Sequence, residues 1–381
     1  MSADQYSRRD FSRIISQSLA LAIGAPCSPG LWDAQRRKPM PDGAIRLNFN
    51  ESAYGPSPKA LEALAKCGRI ASRYPDETYL ELKEALAQKH NVKAENIALG
   101  CGSTEILRSI DNAFLDPSQN VVVADPTFEA VLDYARVLHA QPVKIALTAV
   151  YRHDLPKMAA SCTSKTGVVY VCNPNNPSGT IVSRDEMATF VAVVPPTTLI
   201  LVDEAYYEFA DDPRYSSALE FIAKSPNVVV ARTFSKIYGM AGMRLGYAVA
   251  AKEQIARIND HLIQDDGNAA VLAAALASVG DSDYLASIRT RINATRSWLC
   301  AEFAKDSRGY IPSQANFVMT DVGADTQPFI DQFRARNIFV GRRFAAMPNF
   351  LRVTIGTQQE TETFLAVLRE IAPVRASKAA A

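Results

Sequence analysis

Thr233-Phe234-Ser235-Lys236-Ile237-Tyr238-Gly239-Met240-Ala241-Gly242-Met243-Arg244-Leu245-Gly246-Tyr247 is the stretch that decides the fold. A lysine stands in a glycine-rich turn, behind a hydroxyl residue and eight positions ahead of an arginine. Such a setting suits an imine between a lysine amine and an aldehyde, with an anion clamped nearby. A surface lysine needs none of these neighbours. The preceding Asn227-Val228-Val229-Val230-Ala231-Arg232 reads as a buried strand. Lys236 therefore leaves a strand end, where α/β proteins place their ligands.

Working outward, strands and helices alternate. Strands are expected at 96–99, 120–124, 141–145, 167–172, 199–203, 228–233 and 245–249. Helical patterning falls at 59–66, 78–90, 128–139, 184–193 and 216–223, and residues 100–105 open a further helix that ends near Phe114. Alternation of this kind predicts an α/β fold with a mostly parallel seven-stranded sheet covered by helices on both faces. A long helical region at 252–305, strands near 317–320 and 351–354 and a last helix at 359–371 suit a smaller α+β domain. That domain also takes up residues 36–60, and the large one spans 61–266. The tail 373–381 is expected to be disordered.

The chain has 381 residues, 48% of them hydrophobic, which is ample for two domains. Lys plus Arg number 41 against 40 acids, so nothing asks for a nucleic acid or an anionic membrane partner. No apolar run is long enough for a stable membrane span. Six cysteines (27, 67, 101, 162, 172 and 300) form no close pair and do not cluster with the four histidines, so no metal site is expected. Ser7-Arg8-Arg9-Asp10-Phe11 precedes a short, moderately apolar stretch and then Ala25-Pro26. This order reads as a twin-arginine export signal over residues 1–35, and hence a periplasmic location; an ordinary N-terminal arm in a cytoplasmic protein is the alternative.

Several stretches carry chemistry. Gly100-Cys101-Gly102-Ser103-Thr104 lies at a strand-to-helix junction, where free N–H groups and the helix dipole make an anion pocket; a plain turn with an N-cap fits as well. Asp203 ends the apolar strand Leu199-Ile200-Leu201-Val202, a costly place for a carboxylate without a partner. A protonated ring nitrogen would be a fitting partner, and Tyr206 is placed to reach an oxygen of the same ring. Asn173-Pro174-Asn175-Asn176-Pro177-Ser178-Gly179 is a rigid non-helical loop that suits a fixed side-chain donor. Phe128 is equally a stacking platform and a core aromatic. Arg352 interrupts an apolar strand and wants a bidentate anion or a structural carboxylate.

Taken together, these stretches resemble the fold-type I, pyridoxal-phosphate-dependent aminotransferases, and within them the histidinol-phosphate aminotransferase group. The resemblance is carried by Asn50-Glu51 with Tyr54-Gly55-Pro56-Ser57-Pro58, Arg73-Tyr74-Pro75-Asp76, Gly100-Cys101-Gly102-Ser103, Asn175-Asn176-Pro177-Ser178-Gly179, Asp203-Glu204-Ala205-Tyr206, Ser235-Lys236 with Arg244-Leu245-Gly246-Tyr247, and Leu351-Arg352-Val353-Thr354-Ile355-Gly356, in the family's order over roughly residues 45 to 370.

The resemblance implies pyridoxal 5'-phosphate as cofactor and a small-molecule amino donor with a 2-oxo acid acceptor. It implies that Lys236 carries the cofactor as an imine and later moves the proton, that Asp203 pairs with the ring nitrogen, and that Asn176 and Tyr206 contact the ring oxygen. Gly102, Ser103, Thr104, Thr233, Ser235 and Arg244 would hold the phosphate and Phe128 would stack on the ring. Tyr54 would reach the cofactor of a neighbouring subunit, so a homodimer is implied. Arg352 would grip the substrate anion, with Asn176 beside it. The family's usual Arg directly after Val340 is replaced by Gly341, which moves the basic residue for a substrate phosphate to Arg342. An aromatic amino acid aminotransferase, an amino-acid-phosphate decarboxylase and a non-catalytic cofactor-binding regulator are the alternatives.

Overall fold

The buried valines of Val228-Val229-Val230 sit in the middle of a seven-stranded sheet. A computed structural model describes residues 40–263 and 267–373, and the expected export signal and C-terminal tail fall outside the described residues. After β1 (Ile45–Leu47) come β2 (Ile97–Gly100), β3 (Asn120–Asp125), β4 (Gln141–Ala146), β5 (Thr166–Cys172), β6 (Leu199–Asp203), β7 (Val228–Thr233) and β8 (Gly246–Ala250). Their spatial order is β2-β8-β7-β6-β5-β3-β4, with β8 alone running against the rest. The family's α/β architecture, a mostly parallel sheet between helices, is thus present.

Burial explains the composition of these strands. Every residue of β5, β6, β7 and β8 is buried, as a strand covered on both faces requires, and their valine and isoleucine content follows from that. The edge strand β4 is largely exposed and carries Gln141 and Lys144. Along β3 the side chains divide by the two-residue period. Val122 and Ala124 join one core cluster, while Val121 and Val123 join the other across the sheet.

Helix starts are set by local chemistry. Ser57 accepts from the Ala60 N–H at 3.2 Å, with Pro58 in the first turn of the helix Pro58–Lys66. Ser183 and Glu186 form a reciprocal cap on the helix Arg184–Val193.

The remaining strands are β9 (Tyr310–Ile311), β10 (Phe317–Asp321), β11 (Ile338–Val340) and β12 (Phe350–Thr354). β9, β10 and β12 form an antiparallel sheet in which Arg352 lies opposite Met319; β11 pairs in parallel with β1.

Some expectations are corrected. Residues 216–223 form only a 3-10 turn, Ala218–Phe221, because Ser217 caps Leu219 and, with the Ala218 N–H, donates to the Glu204 side chain. The helix expected from Phe128 begins at Ala130 and ends at Val137, so Phe128 stands in the loop before it. The long helical region is three helices, Lys252–Asn259, Ala269–Val279 and Ser282–Lys305, the last two each beginning behind an Asn or Asp. The helices Leu155–Ala160 and Gln327–Ala335 and the strands β9 and β11 escape a sequence reading, being short and weakly patterned.

Candidate active site

Strands β2, β5, β6 and β7 point the same way, so the segments that follow them gather at one edge of the sheet. Asp203 is the last residue of β6 and Thr233 the last of β7; Gly102 follows β2 and Asn173–Gly179 follows β5.

Asp203 is almost fully buried. Its Oδ2 accepts from the Tyr170 hydroxyl at 2.9 Å and its Oδ1 from the Ala205 N–H at 3.1 Å. Burial pushes the carboxyl up to about 6, while these two hydrogen bonds pull it down. A charged group held so deep calls for a cation, and no side-chain cation pairs with it among the described residues.

Lys236 retains some solvent access, yet its amine is surrounded by protein. Its Nζ donates to the Phe49 carbonyl at 3.0 Å and stands 5.6 Å from the centroid of the Tyr206 ring. Burial first, and then the positive charges of Arg352 and Arg244, bring the amine down to about 7, against the pull of Glu51 and Asp203. Near neutrality the amine is therefore available in its unprotonated form.

The Tyr206 hydroxyl accepts from Asn50 Nδ2 at 3.0 Å, and burial pushes its phenol up, opposed by Arg352. Asn50 is in the left-handed region at φ 56°, and its backbone N–H donates to Thr354 Oγ1 at 2.9 Å. The loop Asn48–Asn50 is thereby pinned beneath Tyr206, and Phe49 offers its carbonyl to Lys236. Arg352 Nη1 donates to Asn176 Oδ1 at 2.6 Å and Nη2 to the Asn48 carbonyl at 2.9 Å, while its buried Nε has no hydrogen-bond partner. The guanidinium lies near two rings, 5.5 Å from the centroid of Phe317 and 5.2 Å from that of Phe344. A buried cation with a spare donor is a binding group for an anion.

A second cluster faces the start of the helix Gly102–Phe114. Gly102 has φ +77°, and a Cβ there would stand 2.3 Å from Arg244 Nη2. Arg244 Nη1 reaches Ser235 Oγ at 3.4 Å, and Thr233 Oγ1 accepts from the Ser235 N–H at 3.0 Å. Ser103 and Thr104 occupy the first helical turn, half-buried. One guanidinium, four hydroxyl residues and a helix N-terminus meet here, and only the missing Cβ of Gly102 lets Arg244 come so close to the helix start. Such a donor set suits an anion.

The structure thus brings Lys236, Asp203, Tyr206, Asn176 and Arg352 into one group, and Gly102, Arg244, Ser235 and Thr233 into a second, joined through Lys236. Three further residues stand at the margins. Phe128 is half-buried against the core cluster beneath β3. Tyr54 lies beside Arg291, 5.4 Å from its ring centroid, and its carbonyl accepts from Tyr284 at 3.2 Å. Arg342 is half-exposed and paired with Glu129.

Several contributors were given no role from the sequence. Tyr170, a hydroxyl inside an apolar strand next to the one ending in Asp203, carried a signal in that pairing. The Asn50 left-handed turn had none beyond its residue type. Arg232 and Glu204 form a fully buried ion pair at 2.7 Å, with the Tyr207 ring 3.5 Å from the guanidinium. They flank Thr233 and Asp203 in sequence and so tie the ends of β7 and β6 together.

No His, Cys, Asp or Glu cluster able to hold a metal occurs among the described residues, and among them no single helix is long and apolar enough to cross a membrane.

Comparison with known proteins follows the same lines. The family model "Aminotransferase class I and II" matches residues 42–368. A histidinol-phosphate aminotransferase of Moorella thermoacetica is 39% identical over 353 residues, covering 91% of this chain and 90% of that protein. An aromatic amino acid aminotransferase of Mycolicibacterium smegmatis is 37% identical, covering 85% of this chain and 88% of that protein. The solved structure of a histidinol-phosphate aminotransferase from Sinorhizobium meliloti in complex with pyridoxal-5'-phosphate superimposes with a TM-score of 0.82 at 27% identity, covering 97% of this chain and 100% of that one.

Proposed function

We propose, from the premise that this chain belongs to the class I and II aminotransferases, that its amino donor carries an aromatic or imidazole ring and an anion close to the amine-bearing carbon. Such a donor is either an aromatic L-amino acid or an amino-alcohol phosphate of the histidinol type, and the acceptor is a 2-oxo acid such as 2-oxoglutarate. The protein is a pyridoxal-phosphate-dependent aminotransferase. When bound, the cofactor supplies an aldehyde that takes up the amino group and a ring that draws electrons from the donor carbon.

The donor set fits this cofactor. Arg244, Ser235, Thr233, Ser103, Thr104 and the helix start at Gly102 would hold its phosphate, and the close approach of Arg244 that Gly102 permits supports this assignment. Asp203 holds a proton on the ring nitrogen and is the counter-ion that its burial demands. Tyr206 and Asn176 would contact the ring oxygen, and Phe128 would border the ring. Lys236 carries the aldehyde and then, as a base poised near neutrality, moves the proton at the donor's α-carbon. Arg352 orients the donor by its anion, and the Phe317 and Phe344 rings beside it suit a flat side chain.

One observation carries the reading. A lysine with an amine near pKa 7 feels both a buried arginine with an unused donor, Arg352, and the buried Asp203 carboxylate. A donor panel with 2-oxoglutarate, assayed on the wild type and on Arg342→Ala, tests it. Ring-bearing donors are expected to outpace aliphatic ones at least tenfold, a discrimination within reach of one apolar subsite. Equal rates across the panel would reject the donor class.

Two further proposals rest on the sequence. The chain works as a homodimer in which Tyr54 serves the neighbouring site; sedimentation showing only monomer would overturn this. It is exported through its paired arginines, which N-terminal mapping of protein from its native host would overturn if residues 1–30 remain.

A further inference from the structure

Glu129 and Arg342 lie far apart in the chain and meet at the rim of the site. Glu129 stands just ahead of the helix Ala130–Val137, and Arg342 follows β11 by two residues. Arg342 Nη2 donates to Glu129 Oε2 at 2.5 Å, with about half of each side chain open to solvent.

Two observations tie this pair to the anion site. The guanidinium carbons of Arg342 and Arg352 lie 4.4 and 5.2 Å from the centroid of the same ring, Phe344. Arg342 and Glu129 also act on the Arg352 guanidinium with opposite signs. The backbone explains why the second arginine comes from position 342. Gly341 donates to the Arg352 carbonyl at 2.8 Å, and a Cβ at 341 would lie 2.7 Å from that oxygen and 2.9 Å from Arg352 Cβ. No side chain fits directly after Val340 without moving β12. The basic residue is therefore displaced by one, into reach of Glu129.

We propose that Glu129 is a specificity-determining residue that engages Arg342 and so tunes the anion subsite to a carboxylate rather than to a phosphate dianion. The inference rests on the reading of Arg352 as the donor's anion site. Arg352 and Arg342 supply two positive charges there and Glu129 removes one. The remaining charge matches a carboxylate. A phosphate monoester carries two charges above its second pKa near 6 and draws fully on Arg342 only when the contact with Glu129 opens. A half-exposed ion pair is weak, so opening is possible but biases the choice. The amino donors favoured in this chain are accordingly amino acids with a ring and a free carboxylate, with phosphate donors accepted less well.

The test is a binding comparison in which nothing turns over. Pyridoxal-phosphate-loaded protein at pH 8 is titrated calorimetrically with 2-phenylethyl phosphate and with 3-phenylpropionate, which share a ring and lack an amine. In Glu129→Gln the phosphate ester is expected to tighten relative to the carboxylate on the order of tenfold, the scale of one charge contact at a partly screened rim. Adding Arg342→Gln is expected to abolish that gain. An unchanged ratio in Glu129→Gln, a gain that persists without Arg342, or no saturable binding of either ligand each overturns the proposal. Because the readout is affinity, a donor panel that rejects ring-bearing amines would sink the proposed donor class without deciding this result.

Discussion

Tyr170→Phe removes one atom whose role the geometry isolates. The hydroxyl donates to Asp203 Oδ2 at 2.9 Å, and both residues are buried. The phenyl ring keeps its place in β5, so packing is retained and only the hydrogen bond is lost. A hydrogen bond to a charged acceptor is worth about 1.5–3 kcal/mol. At 1.36 kcal/mol per pKa unit, that is about one to two units. Asp203 lies at about 6 with the bond in place. Losing it carries the carboxyl up to about 7–8 in the empty site, and the ionised fraction at pH 7 falls from about nine-tenths to between half and a tenth. The sign follows from which form is needed. The ionised carboxylate supports the ring nitrogen, so raising its pKa moves the acidic limb of the apoprotein's equilibrium cofactor-affinity profile to higher pH. The assay is that profile from pH 5 to 9 for both proteins, with thermal melting as a control for folding. An upward displacement of about one unit is expected. An unmoved limb in a normally folded variant would refute the role given to Tyr170 and the electrostatic account of Asp203.

Gly102→Ala is expected to weaken cofactor affinity at least tenfold, by equilibrium dialysis, since its Cβ would stand 2.3 Å from Arg244 Nη2 at a φ of +77° that costs an L-residue about 1–2 kcal/mol. Glu204→Gln leaves the buried Arg232 charge uncompensated, and denaturant unfolding of the apoprotein is expected to show a loss of about 3–5 kcal/mol. The Lys236 amine, depressed to about 7, must be neutral to take up an aldehyde. The rate of cofactor uptake, followed by absorbance, should thus rise through about pH 7 and level off, whereas an ordinary lysine would keep gaining to about pH 10. The same depression means that the apoprotein loses the contribution of this group as pH falls from the ordinary lysine value toward 7.

How much could be read in advance depended on whether a residue's role was local. Strands β3, β5, β6 and β7 were legible because buried parallel strands must be continuous apolar runs, and Leu199–Asp203 and Val228–Thr233 have the predicted bounds. Lys236, Asp203 and Arg352 were legible for the opposite reason, each being a charge set against an apolar strand. What could not be read depends on contacts distant in sequence. Asn50 joins Tyr206 across 156 positions, and Arg342 joins Glu129 across 213. Nothing local to Glu129 marks it apart from any acid just ahead of a helix. Nor does the sequence of residues 216–223 reveal that Ser217 and the Ala218 N–H are taken by Glu204, which leaves only a short turn there.

Borohydride reduction of the pyridoxal-phosphate-loaded protein, followed by digestion and mass spectrometry, puts the central claim to its most direct test. One pyridoxyl-labelled peptide is predicted, with the label on Lys236, whose amine is near-neutral and stands 5.6 Å from the centroid of the Tyr206 ring. Label on another lysine, or on none, would contradict the account.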